Sequence, residues 1–177
     1  ILMAFVGKFG ALLGAEASGR VDGRLVLVTG ASSGLGTHFA QLLAGAGARV
    51  ALAARRTDKL QSVVDAITQA GGQARAYSLD VTSAASVREC LDAIAAWGVP
   101  DVVVNNAGVT VTRPLLEQTE EDFDHVLDTN LKGCWLVATE AARRMVAAGQ
   151  GGAIVNVASI LGERVAGGVA PYAISKA

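Results

Sequence analysis

Cysteine is almost absent from this 177-residue chain, proline is rare, and charge is sparse and balanced. The two cysteines, Cys90 and Cys134, fall in helical patterns without CxxC spacing. That argues against a disulfide framework or a zinc site and fits a reducing cytoplasm. Three prolines stand against 21 glycines, and much of the glycine lies where strands meet helices, as tight βα turns require. Charged residues make up 18% and the net charge is −1. With neither a basic stripe nor an acidic tail, nucleic acid is not an expected partner. No apolar run is long enough to span a bilayer. Against these absences, 51% of residues are hydrophobic, enough for a folded core and too many for a disordered chain.

Residues 1–21 read as a leader. Leu2, Phe5, Phe9, Leu12 and Leu13 recur at helical spacing with Lys8 among them, the pattern of an amphipathic helix packed on its own protein or on a partner. The stretch lacks a small-residue cleavage signature, so a signal peptide is not expected.

Residues 22–177 form the second unit, and there β and α patterns alternate. Apolar, β-branched runs at 25–29 (LVLVT), 49–53 (RVALA), 101–104 (DVVV) and 153–157 (AIVNV) read as strands, with a more polar strand at 74–79. Helical periodicity fills the intervals at 34–46, 57–70 and from Ser83 to Trp97, where Ser83 is a candidate N-cap. Thr119 followed by Asp122 is a variant capping box that opens a long helical region ending near Ala148. Short strands separated by helices imply an α/β fold: a doubly wound parallel sheet with helices on both faces.

The first strand runs into Thr29-Gly30-Ala31-Ser32-Ser33-Gly34-Leu35-Gly36. Gly30 permits the sharp exit from the strand, Gly34 a close approach of backbone to a pyrophosphate, and Gly36 tight seating of the helix. The helix N-terminus adds free amide hydrogens and the positive end of its dipole, and Ser32 and Ser33 add hydroxyls. A glycine turn between strand and helix therefore predicts a dinucleotide site. No lysine followed by Ser or Thr comes after the glycines, which disfavours a P-loop. The second strand continues as Ala54-Arg55-Arg56 and carries no acid. An acid in that place would receive a ribose hydroxyl, whereas a guanidinium clamps a 2′-phosphate. Arg55 therefore favours NADP(H) over NAD(H), with Arg56 read as a bystander on a solvated face.

Further positions fall in a fixed order. Asp80-Val81 follow the third strand, Asn105-Asn106-Ala107-Gly108 follow the fourth, and Asn130 lies within the long helical region. Ser159 follows the fifth strand, ahead of Tyr172-Ala173-Ile174-Ser175-Lys176. With the glycine turn, this set resembles the classical short-chain dehydrogenase/reductase family, through TGxxxGxG, NNAG and YxxxK, over residues 22–177. The resemblance implies a Rossmann-type fold and an oxidoreductase that interconverts a ketone and a secondary alcohol. It implies that Ser159 holds the substrate oxygen, that Lys176 bonds the nicotinamide ribose and that Asn130 holds a water in a proton relay. It also implies that Asp80 and Val81 contact adenine and that Asn106, with Ala107 and Gly108, lies near the adenosine ribose.

Tyr172 and Lys176 stand four apart, on one face of a helix. Lowering a tyrosine pKa from near 10 to about 7 takes roughly 4 kcal/mol of differential stabilisation. A close ammonium in a partly dry site supplies a large part of it. Tyr172 then gives a proton to a carbonyl oxygen or removes one from an alcohol. Loops at 109–115 and 160–169, with Thr110, Thr112 and mostly apolar groups, suit a moderately hydrophobic ketone or acyl substrate, and the 3-oxoacyl reductases of the family are a reasonable comparison. His38 and His125 belong to no motif and read as surface or packing residues.

The resemblance further implies homo-oligomers and, beyond Ala177, two more strands and a substrate-covering loop. The sequence is thus expected to be C-terminally truncated, its last strands missing, and the isolated 177 residues to be poorly active. The alternative reading is a catalytically idle dinucleotide-binding regulatory module.

Overall fold

The computed structural model describes residues 21–164 and 166–177; the leader helix expected before them lies outside the described residues. The elements are β1 (Leu25–Thr29), α1 (Gly34–Gly45), β2 (Arg49–Ala54), α2 (Thr57–Gln69), β3 (Gln73–Ser78), α3 (Ala84–Ala95) and β4 (Val102–Asn105). There follow α4 (Glu120–Leu127), a π-helical turn (Asp128–Lys132), α5 (Gly133–Ala147), β5 (Ala153–Asn156) and α6 (Ala170–Lys176). Short 3-10 turns occupy Leu115–Glu117 and Ile160–Gly162.

All five strands are parallel, in the order β3-β2-β1-β4-β5. β1 is central, with Val28 registered against Leu52 on one side and Val104 on the other. Alternation along β1 divides the core in two, because successive side chains leave opposite faces of a strand. Val26 and Val28 pack with Phe39 and Leu43 of α1 and with Leu60 and Ile67 of α2. Leu25 and Leu27 pack with Leu91 and Ile94 of α3 and with Val137 and Met145 of α5. Each such fully buried aliphatic side chain contributes about 1.5–3 kcal/mol. The sheet is thus covered by helices on both faces, as its apolar strands require.

Element edges differ from the sequence reading by a residue or two, for local reasons. β4 begins at Val102; Asp101 before it still reaches both neighbouring strands, its N donating to Leu25 O at 2.8 Å and its O accepting from Ala153 N at 3.0 Å, while its carboxylate accepts from Leu25 N and Arg24 Nη1, both at 2.8 Å. β3 pairs from Gln73 with Arg49 through Ser78 with Ala54. Ser83 caps α3 by accepting from Ser86 N at 3.2 Å, and Thr119 and Asp122 form a complete capping box on α4. The long helical region is not one helix, since the π-turn interrupts it at Asn130. No helix among the described residues is long and apolar enough to cross a membrane.

Candidate active site

Strand order reverses around β1: β2 lies on one side of it, and the chain returns on the other as β4. In such sheets the crevice at the carboxyl ends of these strands is where ligands bind. Here it is a cleft of about 470 Å³. Its walls come from the glycine turn, the end of β2, the Asp80 segment and the Asn106–Val109 segment.

Thr29 joins these walls. Its Oγ1 accepts from Asn106 N at 3.1 Å and Ala107 N at 3.0 Å and donates to Val104 O at 3.4 Å. Asn106 Nδ2 in turn donates to Thr29 O at 3.0 Å. The turn after β1 and the NNAG segment after β4 are therefore one rigid piece. Gly30 has a φ of +65°, and a Cβ there would lie 2.8 Å from Ala107 Cα. Both facts demand glycine. Gly36 is buried beneath the turn, where a Cβ would collide with the Gly30 carbonyl and lie 2.7 Å from Asn106 Nδ2. It seats the helix against the turn itself. Gly34 is different: its φ is +57° and no atom lies within 4 Å of its missing Cβ, which leaves its outer side open.

Ser33 stands at the N-cap of α1, yet its side chain makes no capping bond and the first turn holds no acid. The amide hydrogens and dipole of a twelve-residue helix thus remain available for an anion. Ser33 Oγ accepts instead from Arg56 Nη2 at 3.0 Å, as does Ser32 Oγ at 3.0 Å. This corrects the reading of Arg56 as a bystander. Strand alternation would send consecutive arginines to opposite sides, but β2 ends at Ala54, so the alternation no longer applies. Arg55 and Arg56 both line the cleft and both are exposed. Across from them, Asp80 Oδ1 accepts from Thr82 Oγ1 at 2.8 Å and Thr82 N at 3.0 Å. These two donors hold its carboxyl below the usual range, against the opposing effect of burial.

Ser159, Tyr172 and Lys176 stand beyond the lining of this cleft, and Asn130 links the helix of Tyr172 and Lys176 to it. Asn130 is buried. Its Oδ1 accepts from Val109 N at 2.8 Å, and its Nδ2 donates to Val109 O at 2.9 Å and to Ser175 Oγ at 2.9 Å. Ser175 Oγ then donates to Tyr172 O at 2.8 Å. One side chain thus fixes a cleft residue to the helix that carries Tyr172 and Lys176. Lys176 Nζ lies 5.9 Å from the Tyr172 ring centre and donates to Val157 O at 2.8 Å. Burial pushes the Lys176 pKa below the usual lysine range, with neighbouring Cys134 opposing. Ser159 Oγ accepts from Leu161 N at 3.2 Å, so its own hydrogen remains free to donate. Gly162 lets α6 approach this turn, since a Cβ there would collide with the Lys176 carbonyl.

The ordered pieces agree with a family profile described as short chain dehydrogenase, which matches residues 24–177. This chain belongs to the short chain dehydrogenase family. Among its relatives is a sorbitol dehydrogenase of Cereibacter sphaeroides, 36% identical over 89% of this chain and 61% of that protein. Another is the 3-oxoacyl-[acyl-carrier-protein] reductase of Escherichia coli, 34% identical over 88% of this chain and 63% of that one. A gluconate 5-dehydrogenase from Burkholderia cenocepacia, solved with NADP and tartrate, superposes with a TM-score of 0.82 at 35% identity. That alignment covers 88% of this chain and 61% of the solved one. The chain therefore spans about three-fifths of the length of these family members.

Several residues that shape this short chain dehydrogenase site went unassigned in the sequence. Thr29 was visible only as a letter of TGxxxGxG, and Ser175 only as a spacer in YxxxK. Cys90 and Cys134 are free; burial drives the Cys90 thiol up to about 12, the state of an inert core cysteine. His38 and His125 are exposed. Among the described residues, no cluster of three or more His, Cys, Asp or Glu is placed to hold a metal.

Proposed function

We propose that the protein bearing this sequence is an NADP(H)-dependent oxidoreductase that interconverts a carbonyl and a secondary alcohol, with Tyr172 as general acid and base. The observation that carries the reading is the placement of Lys176 Nζ 5.9 Å from the Tyr172 ring, on a helix tied to the cleft through Asn130.

The cleft residues fit a dinucleotide. The open N-terminus of α1 and the glycine turn with Leu35 would receive its pyrophosphate. Asp80 and Val81 would flank the adenine, and Asn106, Ala107 and Gly108 would border the adenosine ribose. Arg55 and Arg56, the latter braced on Ser32 and Ser33, offer two guanidinium groups to a 2′-phosphate. Bound there, the nicotinamide supplies or accepts the hydride.

The chain's own groups do the rest. The Ser159 hydroxyl donates to the substrate oxygen. The Tyr172 hydroxyl gives its proton to that oxygen in reduction and takes it back in oxidation. Lys176 retains donors beyond its bond to Val157, and a second donor would serve the nicotinamide ribose. Both amide hydrogens of Asn130 are already used, so a relay water would fall to its main-chain carbonyl.

The test uses the whole protein with NADPH and three carbonyl compounds: an acetoacetyl thioester, a small ketose and a cyclic ketone. Oxidation of NADPH with any of them, and faster than with NADH, is the expected result. Tight NADPH binding without oxidation by any would overturn the reading in favour of an idle dinucleotide-binding module.

A further inference from the structure

Two loops leave the carboxyl ends of neighbouring strands, residues 106–118 after β4 and 157–169 after β5. Because β4 and β5 are parallel, both emerge at the end of the sheet where the cleft opens. Two hydrogen bonds join them, and a third within the first loop braces the crossing. Arg113 N donates to Gly168 O at 2.9 Å. Gln118 Nε2 donates to Arg113 O at 2.8 Å and to Gly168 O at 3.2 Å. One half-buried amide therefore holds carbonyls from two segments fifty residues apart in sequence.

The crossing is shaped for this contact and anchored below it. Gly168 has a φ of +78°, and a Cβ there would stand 3.4 Å from Arg113 O. The Arg113 guanidinium donates to Asp122 Oδ2 at 2.7 Å. The same oxygen accepts from Thr119 N at 3.1 Å in the capping box of α4. Gly168 precedes Tyr172 by four residues, and Arg113 follows Gly108 by five. The joint thus lies between the end of the dinucleotide cleft and the start of the helix bearing Tyr172.

Without the Gln118 amide, a single hydrogen bond among the described residues, Arg113 N to Gly168 O, would connect the two loops, and segments with so few contacts open independently. We infer that Gln118 is a specificity-determining positioning residue, holding the two loops as one wall on the substrate side. This rests on the carbonyl–alcohol reading above for its effect on substrate, and on geometry alone for the joint. Loosening the wall alters how a substrate is held and leaves the cofactor cleft as it was.

The experiment compares Gln118→Met, which keeps length without donors, and Gln118→Glu, which keeps polarity without the amide hydrogens, with the unaltered whole protein. Hydrogen exchange is expected to rise at least fivefold in peptides from both loops together, and not in residues 29–36. With an acetoacetyl thioester or D-sorbitol as substrate, KM is expected to rise three- to tenfold, with NADPH Kd within twofold. Unchanged exchange in either loop in both variants would overturn the inference, as would an equal loss of NADPH affinity. If the unaltered protein turns over neither substrate, exchange alone decides: coupled loosening retains the joint, and unchanged exchange removes it.

Discussion

At the scale of single residues, the site depends on a few polar atoms whose partners are fixed. Arg56 is braced by two serine hydroxyls, so its guanidinium is held near the glycine turn before any ligand arrives. Charge-assisted hydrogen bonds contribute about 1.5–3 kcal/mol each, and 1.4 kcal/mol is a factor of ten. Replacing Arg55 and Arg56 together by alanine is therefore expected to weaken NADPH binding by about tenfold or more, with NADH binding changed far less. Fluorescence titration with both dinucleotides checks this; equal weakening of the two would show that the arginines do not read the 2′-phosphate. Asp80 makes a prediction about acid. Its carboxyl is held below the usual range by two Thr82 donors, so the folded state favours its charged form. That contribution is present above the ordinary carboxylate range and is lost as pH falls through the lowered value. In Asp80→Asn, unfolding midpoints in urea should decline less than in the unaltered protein as pH is taken from neutral to below the ordinary carboxylate range. A motif singled out Tyr172 and Lys176 in the sequence as candidates. Partners were not legible: nothing in the sequence shows that Asn130 uses both amide hydrogens, or that Arg56 turns back onto Ser32 and Ser33. Those depend on where β2 ends and on how the π-turn rotates α5.

At the scale of elements, helix ends carry the chemistry and the stability in different ways. The N-terminus of α1 is left uncapped at the proposed pyrophosphate site, while α3 and α4 are capped by Ser83 and Thr119. Thr119→Ala removes the side-chain half of the capping box, the Asp122 N donation to Thr119 Oγ1, and is expected to cost about 1 kcal/mol, measured as a fall in the urea midpoint at unchanged slope. It should also loosen Asp122, the anchor of Arg113. Gly36→Ala acts at the other kind of helix end. The added methyl would meet the Gly30 carbonyl and Asn106 Nδ2, displacing the turn, so NADPH affinity should fall at least tenfold while the far-ultraviolet dichroism persists. Retained affinity would show that the turn can shift at no cost to phosphate binding. The strands and caps were readable because hydrophobic periodicity and capping chemistry are local. The break at Asp128–Lys132 was not, since it arises where Asn130 is drawn to Val109 and Ser175 by bonds from distant segments.

At the scale of the whole molecule, a parallel sheet ordered β3-β2-β1-β4-β5 brings together residues more than a hundred positions apart. The doubly wound architecture followed from apolar strands alternating with amphipathic helices, and the order of motifs along the chain pointed to the family. The tie between the 106–118 and 157–169 loops had no such signal, because a glutamine between two loops has no periodicity or motif to mark it. Equally, the sequence marked the glycine turn and the Tyr172–Lys176 pair without showing that Asn130 joins the helix of that pair to the cleft wall at Val109 in one frame. The central claim is that this frame presents Tyr172 as the proton donor and acceptor of a carbonyl–alcohol reaction. Its most direct test is Tyr172→Phe in the whole protein, with NADPH binding and NADPH oxidation measured on the same preparation. The account predicts NADPH affinity within about threefold of the unaltered protein and turnover reduced by about 100-fold or more, the range expected for a lost general acid. Turnover within tenfold of the unaltered protein, at equal affinity, would contradict it.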